Sequence, residues 1–219
     1  MMPKNEITEI DSLNGFRAVY TECILNEDII EETVIKKVNC ENGDFTKIEL
    51  NNCRFTDCHF TKCNFSKASF MNVEFKNCNF SNSVFDEAYF SKCNVENCKA
   101  LGASFFEAIA KDIKINETDM QYTAFTKGKL RKIKVEKSRF ADASFIDCSL
   151  KNMNFSQNDF TAANFFKTSL SGIDLSNCEI ASILVSENLS ELKGASINIT
   201  QAADIVKYIG IKIKDEVLN

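Results

Sequence analysis

Ten cysteines, a single histidine and 31 carboxylates are the side chains of this 219-residue sequence that could carry nucleophilic, metal or acid–base chemistry. Zinc needs about four thiolate or imidazole ligands converging tetrahedrally, and a nucleophilic cysteine needs a neighbour that lowers its pKa. The cysteine positions argue against both. Cys23, Cys53, Cys58, Cys63, Cys78, Cys93, Cys98, Cys148 and Cys178 share one place in a five-residue pattern, and Cys40 occupies a second. Cys58, Cys78 and Cys98 are spaced by twenty, which stacks them in a column instead of wrapping them round an ion. His59 has no second imidazole to complete a zinc site or a triad. The acids are scattered over polar positions with no cleft to pair them. The expectation is packing cysteines, a surface His59, no catalytic residue, no metal and no cofactor.

The pattern that places these residues has a period of five. From Leu25 to Val185 every fifth residue is apolar, and sixteen of the 19 Phe fall in this register. Two residues earlier in each pentad stands a small or compact side chain, as in Cys53, Cys58, Cys63, Ala68, Val73 and Cys78. The other three positions are mostly Asn, Ser, Thr, Lys, Asp and Glu. Period five suits neither an α-helix at 3.6 nor a strand at 2. It suits a chain that turns a corner every five residues, with two side chains inward and three outward. Four corners close a square coil of twenty residues, and coils stack at the ~4.8 Å spacing of neighbouring strands. No pentad can bury its Phe alone, so the unit must be iterated and its ends covered. The weakest pentads, near Cys40 and between Ala100 and Ala110, are expected to distort, and any outward loop must be a multiple of five residues long.

The stretch NCRFTDCHFTKCNFSKASF resembles the pentapeptide-repeat family, whose consensus is a small residue, Asp or Asn, Leu or Phe, and two variable positions. The resemblance covers residues 25 to 185. It implies an all-β solenoid, a right-handed quadrilateral β-helix of about eight coils. The chain divides accordingly into an N-terminal cap (1–24), the β-helix (25–188) and a C-terminal cap and dimerisation segment (189–219). In the cap, Thr200 is positioned to start a helix running through Tyr208 with Gly210 ending it, and IKIKDEV reads as a brief strand.

Gln201, Ala202, Gly210, Ile211 and Ile213 are similar to the C-terminal ending of the Qnr quinolone-resistance proteins. That likeness implies a homodimer joined at the C-termini, binding to DNA gyrase or topoisomerase IV, and protection from fluoroquinolones, to which projecting loops contribute. Ile205, Val206, Ile209, Ile211 and Ile213 are the candidate dimer interface, because an open coil end presents unpaired backbone groups to a copy of itself. Phe106, Ile146 and Phe166 recur on one outward face where polar residues are usual, a stripe expected to receive a partner or the chain's own terminal segment. A structural scaffold for another protein is the alternative function.

Net charge is −5, with 26 basic and 31 acidic residues, so there is no basic footprint for nucleic acid. An acidic rod mimicking DNA would need a stronger bias than the mixed outer faces supply, and Lys129, Arg131 and Lys132 form a local basic cluster. The N-terminus lacks a signal-peptide pattern and no apolar run is long enough to span a membrane, so a cytoplasmic protein with reduced thiols is expected.

Overall fold

The computed structural model describes residues 8–214. From Ile30 the chain winds as a β-solenoid whose turns are parallel and twenty residues apart: Leu50 pairs with Phe70, Phe70 with Phe90, Phe90 with Ala110 and Ala110 with Leu130. Two walls are built of regular short strands. Beyond one short strand pair, Asn39–Glu41 with His59–Thr61, the other two are held by single bridges at the same spacing, such as Asn64 to Val84 and Val84 to Ser104. Regular strands run from Ile30 to Ser156, about six turns, and bridges and turns alone carry the winding on to Leu184. The expected eight coils therefore overstate the regular part slightly, because the last turns lose the strand geometry while keeping the register.

Corners explain why five residues suffice. Every fifth residue from Glu27 through Lys167 lies in the left-handed region, with φ between 48 and 64°. Asn and Asp tolerate this conformation; for Lys and Glu it costs about 1–2 kcal/mol each. The turn recovers this cost through the next coil, since each corner N–H donates to a carbonyl nineteen residues on: Lys47 to Ser66 at 2.9 Å, Asn52 to Met71 at 3.0 Å and Asp57 to Lys76 at 3.0 Å.

Inside, the Phe rings stack coil on coil. Phe65 lies 5.3 Å from Phe45 and 5.1 Å from Phe85, and the column continues through Phe105, Phe125, Phe145 and Phe165 at 4.9–5.1 Å. The weak pentads do not distort the backbone: Asn39–Glu41 pairs with His59–Thr61, and the 109–116 strand keeps full register with 129–136. Inter-coil bonding belongs to the main chain, so a missing side chain opens space and leaves the winding intact.

The ends are covered by different means. The strand Thr8–Ile10 pairs with Thr33–Ile35, and helix α1 (Leu13–Asn26), capped by Ser12, drives Phe16 beneath the first coil. Phe16 is fully buried, with its ring 5.0 Å from Phe45 and 5.3 Å from Phe60. Gly43 leaves space for the first coil's own side chains, since a Cβ there would meet the Cys40 sulfur at 2.5 Å and the Phe45 ring at 2.7 Å. Two expected inward residues fall instead on α1: Leu25 is 77% exposed, and Cys23 is only partly covered. At the other end the spacing loosens, Asp174 bridging to Ser196, twenty-two residues on. Helix α2 (Ile199–Tyr208) follows. Its cap is Asn198, not Thr200, because Asn198 accepts from the Gln201 N–H while the Gln201 side chain returns a bond to the Asn198 N–H. Gly210 does take a left-handed φ of 78° past the helix end. Residues 211–214 form no strand, and the remainder of IKIKDEV lies outside the described residues.

Candidate functional site

Two positions of each pentad point inward, and the smaller of them has a hydrogen-bonding duty. In the column Cys78, Cys98, Thr118, Ser138 and Asn158, the backbone N–H of each of the first four donates to the side chain one coil further on: Cys78 to the Cys98 sulfur at 3.3 Å, Cys98 to Thr118 Oγ1 at 3.4 Å, Thr118 to Ser138 Oγ at 3.1 Å, Ser138 to Asn158 Oδ1 at 2.9 Å. Those side chains in turn donate to carbonyls, as Thr118 does to Asn116 at 2.9 Å and Ser138 to Glu136 at 2.8 Å. Cys, Ser, Thr and Asn are thus interchangeable here as compact groups able to give and take one bond. Among the described residues no buried side-chain nitrogen or oxygen is left unpartnered.

This duty fixes the chemistry of the thiols. Nine are buried, and burial pushes Cys63 up to about 12 and both Cys93 and Cys148 up to about 11. Hydrogen bonding to Cys58 and Cys98, with burial added, raises Cys78 further and draws those two stack neighbours down. A thiol above 11 has almost no thiolate at neutral pH. Among the described residues no three His, Cys, Asp or Glu are grouped to hold a metal ion. Cys58 and Cys98, though drawn down, are shielded by burial like the others, so native protein treated with a thiol-reactive disulfide is expected to react slowly at Cys23 alone, the other nine waiting for denaturant. Rapid release of two or more equivalents would contradict the packing assignment.

The outer walls carry charge in complementary pairs one coil apart. Arg54 and Glu74 are 2.7 Å apart, Lys76 and Glu96 3.3 Å, Lys127 and Glu107 3.5 Å, and Arg139 also pairs with Asp119. Neighbouring coils thus set opposite charges against one another along the described walls. His59 sits exposed on the wall between Asn39 and Asn79. Along one wall Phe106 and Ile146 are half-buried and Phe166 is exposed; Lys127 lies over the Phe106 ring and Lys167 over the Phe166 ring, each 5.4 Å from the centroid. The stripe is thus a series of apolar steps partly roofed by lysines. Leu184, 54% exposed, stands one coil beyond Asn164, a residue that sequence reasoning missed because it stands one place before the register position.

At the C-terminal end the five candidate interface residues divide. Ile205 is buried into the rod's core, so it serves the monomer and is not available to a second copy. Val206 is partly covered, while Ile209, Ile211 and Ile213 are about half exposed, with Tyr208 and a nearly bare Ile199 beside them. The division follows from Gln201, which plugs the open coil by donating to the carbonyls of Leu175 at 2.9 Å and Cys178 at 2.6 Å, turning the Ile205 side of α2 inward. Among the described residues no helix is long and apolar enough to cross a membrane.

Three overlapping family models match the chain: pentapeptide repeats of nine copies over residues 35–94, a pentapeptide repeat region over 68–141, and pentapeptide repeats of eight copies over 138–177. The chain belongs to the pentapeptide-repeat family. Among solved structures it is similar to a trypsin-treated form of QnrB1, a plasmid-mediated fluoroquinolone resistance protein, at 20% identity and a TM-score of 0.57 over 96% of this chain and 100% of that one. Full-length QnrB1 superposes at 23% identity and a TM-score of 0.54, over 82% of this chain and 91% of QnrB1. No curated protein sequence matches the chain.

One further residue of this pentapeptide-repeat rod is not readable from the repeat. Glu191, beyond the end of the register, is buried, and its carboxylate accepts from Lys167 N–H at 2.9 Å, Ser186 N–H at 3.1 Å and Ser186 Oγ at 2.6 Å. Burial would push its carboxyl up; those bonds, with one from its own backbone N–H, outweigh burial and hold it down at about 2.

Proposed function

We propose that this chain is a non-catalytic binding protein that engages DNA gyrase or topoisomerase IV and modulates or protects it from fluoroquinolones. The observation that carries the reading is the likeness in fold to QnrB1, covering nearly all of both chains. A rod filled with Phe leaves only walls and ends for recognition, and no projecting loop interrupts the described winding. Binding would therefore use the stepped stripe at Phe106, Ile146 and Phe166 and the exposed C-terminal isoleucines. The test is gyrase supercoiling with ciprofloxacin: micromolar protein is expected to restore supercoiling or to inhibit the enzyme in a saturable way. Neither rescue nor inhibition at that concentration would end this reading.

The exposed Ile199, Ile209, Ile211 and Ile213 favour a homodimer through the C-termini, in which Ile205 takes no part. Light scattering is expected to give twice the 24.7 kDa chain mass, and Ile209→Glu with Ile211→Glu to return it to one. A parent protein at the monomer mass removes the proposal. The scaffold alternative draws on the same stripe, and a pull-down that recovers one partner other than topoisomerase would favour it.

A further inference from the structure

The aromatic filling of the rod thins between Val95 and Val135, where only Phe105 and Phe125 keep a ring, and it is weakest in one turn. In successive coils one inward column reads Phe80, Ala100, Met120, and the column on the opposite side of the coil, ten residues on, reads Phe90, Ala110, Leu130. Both alanines fall in the same turn, so two ring-sized volumes are missing across the axis from each other, with Phe105 at the corner between them. The coil cannot shrink to close the gap, because Ala100 N–H donates to Asp119 at 2.8 Å and Ala110 stays paired between Phe90 and Leu130. The outcome is an internal cavity of about 120 Å³, walled by Phe80, Phe90, Phe105, Ile115, Met120 and Met153 among others.

The wall is apolar throughout. Thr118 borders it, but its hydroxyl is already committed to the Asn116 carbonyl. A buried water needs two to four polar partners, and an apolar cavity of about 150 Å³ stays dry while admitting benzene or xenon. We propose that this cavity is a binding site for a small apolar molecule about the size of a single ring and lacking hydrogen-bonding groups. A ring bearing a hydroxyl would bury that group unpaired, which disfavours it. Met120 and Met153, unbranched and adaptable, let the wall adjust to the guest. The site is independent of gyrase binding, since it lies inside the rod and uses no residue of the stripe or the tail.

Benzene, phenol and xenon, added to the full chain, are the probes. Benzene is expected to shift the methyl resonances of Met120 and Met153 saturably, to leave Met71 on the outer wall unmoved, and to raise Tm by about 2–4 °C. Xenon is expected to move the same two methyls, and phenol to bind at least about tenfold more weakly than benzene. Ala110→Leu restores an aliphatic rung between Phe90 and Leu130 and should abolish the response; Ala100→Leu is the second variant if the first does not fold. The site is refuted if benzene leaves Met120 and Met153 unmoved, if phenol binds as tightly as benzene, or if a folded filled variant responds as the parent does. Should neither variant fold, the methyl shifts of the parent decide alone.

Discussion

Phe65→Ala destabilises the rod by about 3–5 kcal/mol, a fall in Tm of roughly 10 °C, while Phe166→Ala costs less than about 0.5 kcal/mol. The two residues have the same side chain and nearly the same local sequence, so position alone separates them. Phe65 is 1% exposed and lies within 5.1–6.2 Å of the Phe45, Phe60, Phe70, Phe80 and Phe85 rings. Aromatic pairs add about 0.5–1.5 kcal/mol beyond burial, and main-chain bonding between coils, such as Phe65 N–H to the Val84 carbonyl at 2.7 Å, keeps neighbours from closing on the hole. Phe166 is 41% exposed and its main partner is a surface lysine. Because each turn touches only its neighbours, the Phe65→Ala damage should stay local. Amide exchange should quicken in the turns containing Asn64 and Val84 before the C-terminal coil responds. Equal costs for the two substitutions, read from urea denaturation, would mean that the ring column does not carry the stability assigned to it.

The same contrast shows what was legible beforehand. The five-residue period told Phe65 from Phe166 because corner geometry admits only one large inward position per pentad. It misplaced Leu25, whose spacing fits the register but whose neighbours continue α1 to Asn26, leaving it on the solvent face. At the far end Asn198 and Thr200 are both competent caps, and the deciding signal was Gln201 three residues after Asn198, the spacing that closes a reciprocal pair of bonds. Ala100 and Ala110 were visible as weak pentads. That they open a void without bending the chain follows from main-chain bonding between coils, which a side-chain pattern does not encode. Ile205 illustrates the limit for the candidate interface: five isoleucines and valines in a tail announce apolar surface, but which of them face the rod is set by where Gln201 docks.

Glu191 was invisible because it follows the last pentad, and it carries the second large effect. In the regular rod a corner N–H donates to a carbonyl nineteen residues on, as Lys127 does to Ile146 and Asp147 to Phe166, both within 3.0 Å. Lys167 has no such partner at the rod's end and donates to the Glu191 carboxylate instead, which also takes the Ser186 N–H and hydroxyl. The side chain of Glu191 therefore stands in for the missing coil. Its carboxyl sits at about 2 when folded against a usual 4.5, so the unfolded chain binds the proton more tightly. The stabilisation, about 3 kcal/mol, is complete above the unfolded value and is lost as pH falls from about 4.5 through about 2. Glu191→Gln should remove a comparable amount at pH 7, since the amide offers one acceptor and turns two donors toward N–H and O–H groups. It should also flatten the change in the urea midpoint between pH 7 and pH 3 relative to the parent. If the variant loses stability on acidification as steeply as the parent does, the carboxylate is not what closes the last turn, and the acid response must be sought among the paired acids of the walls.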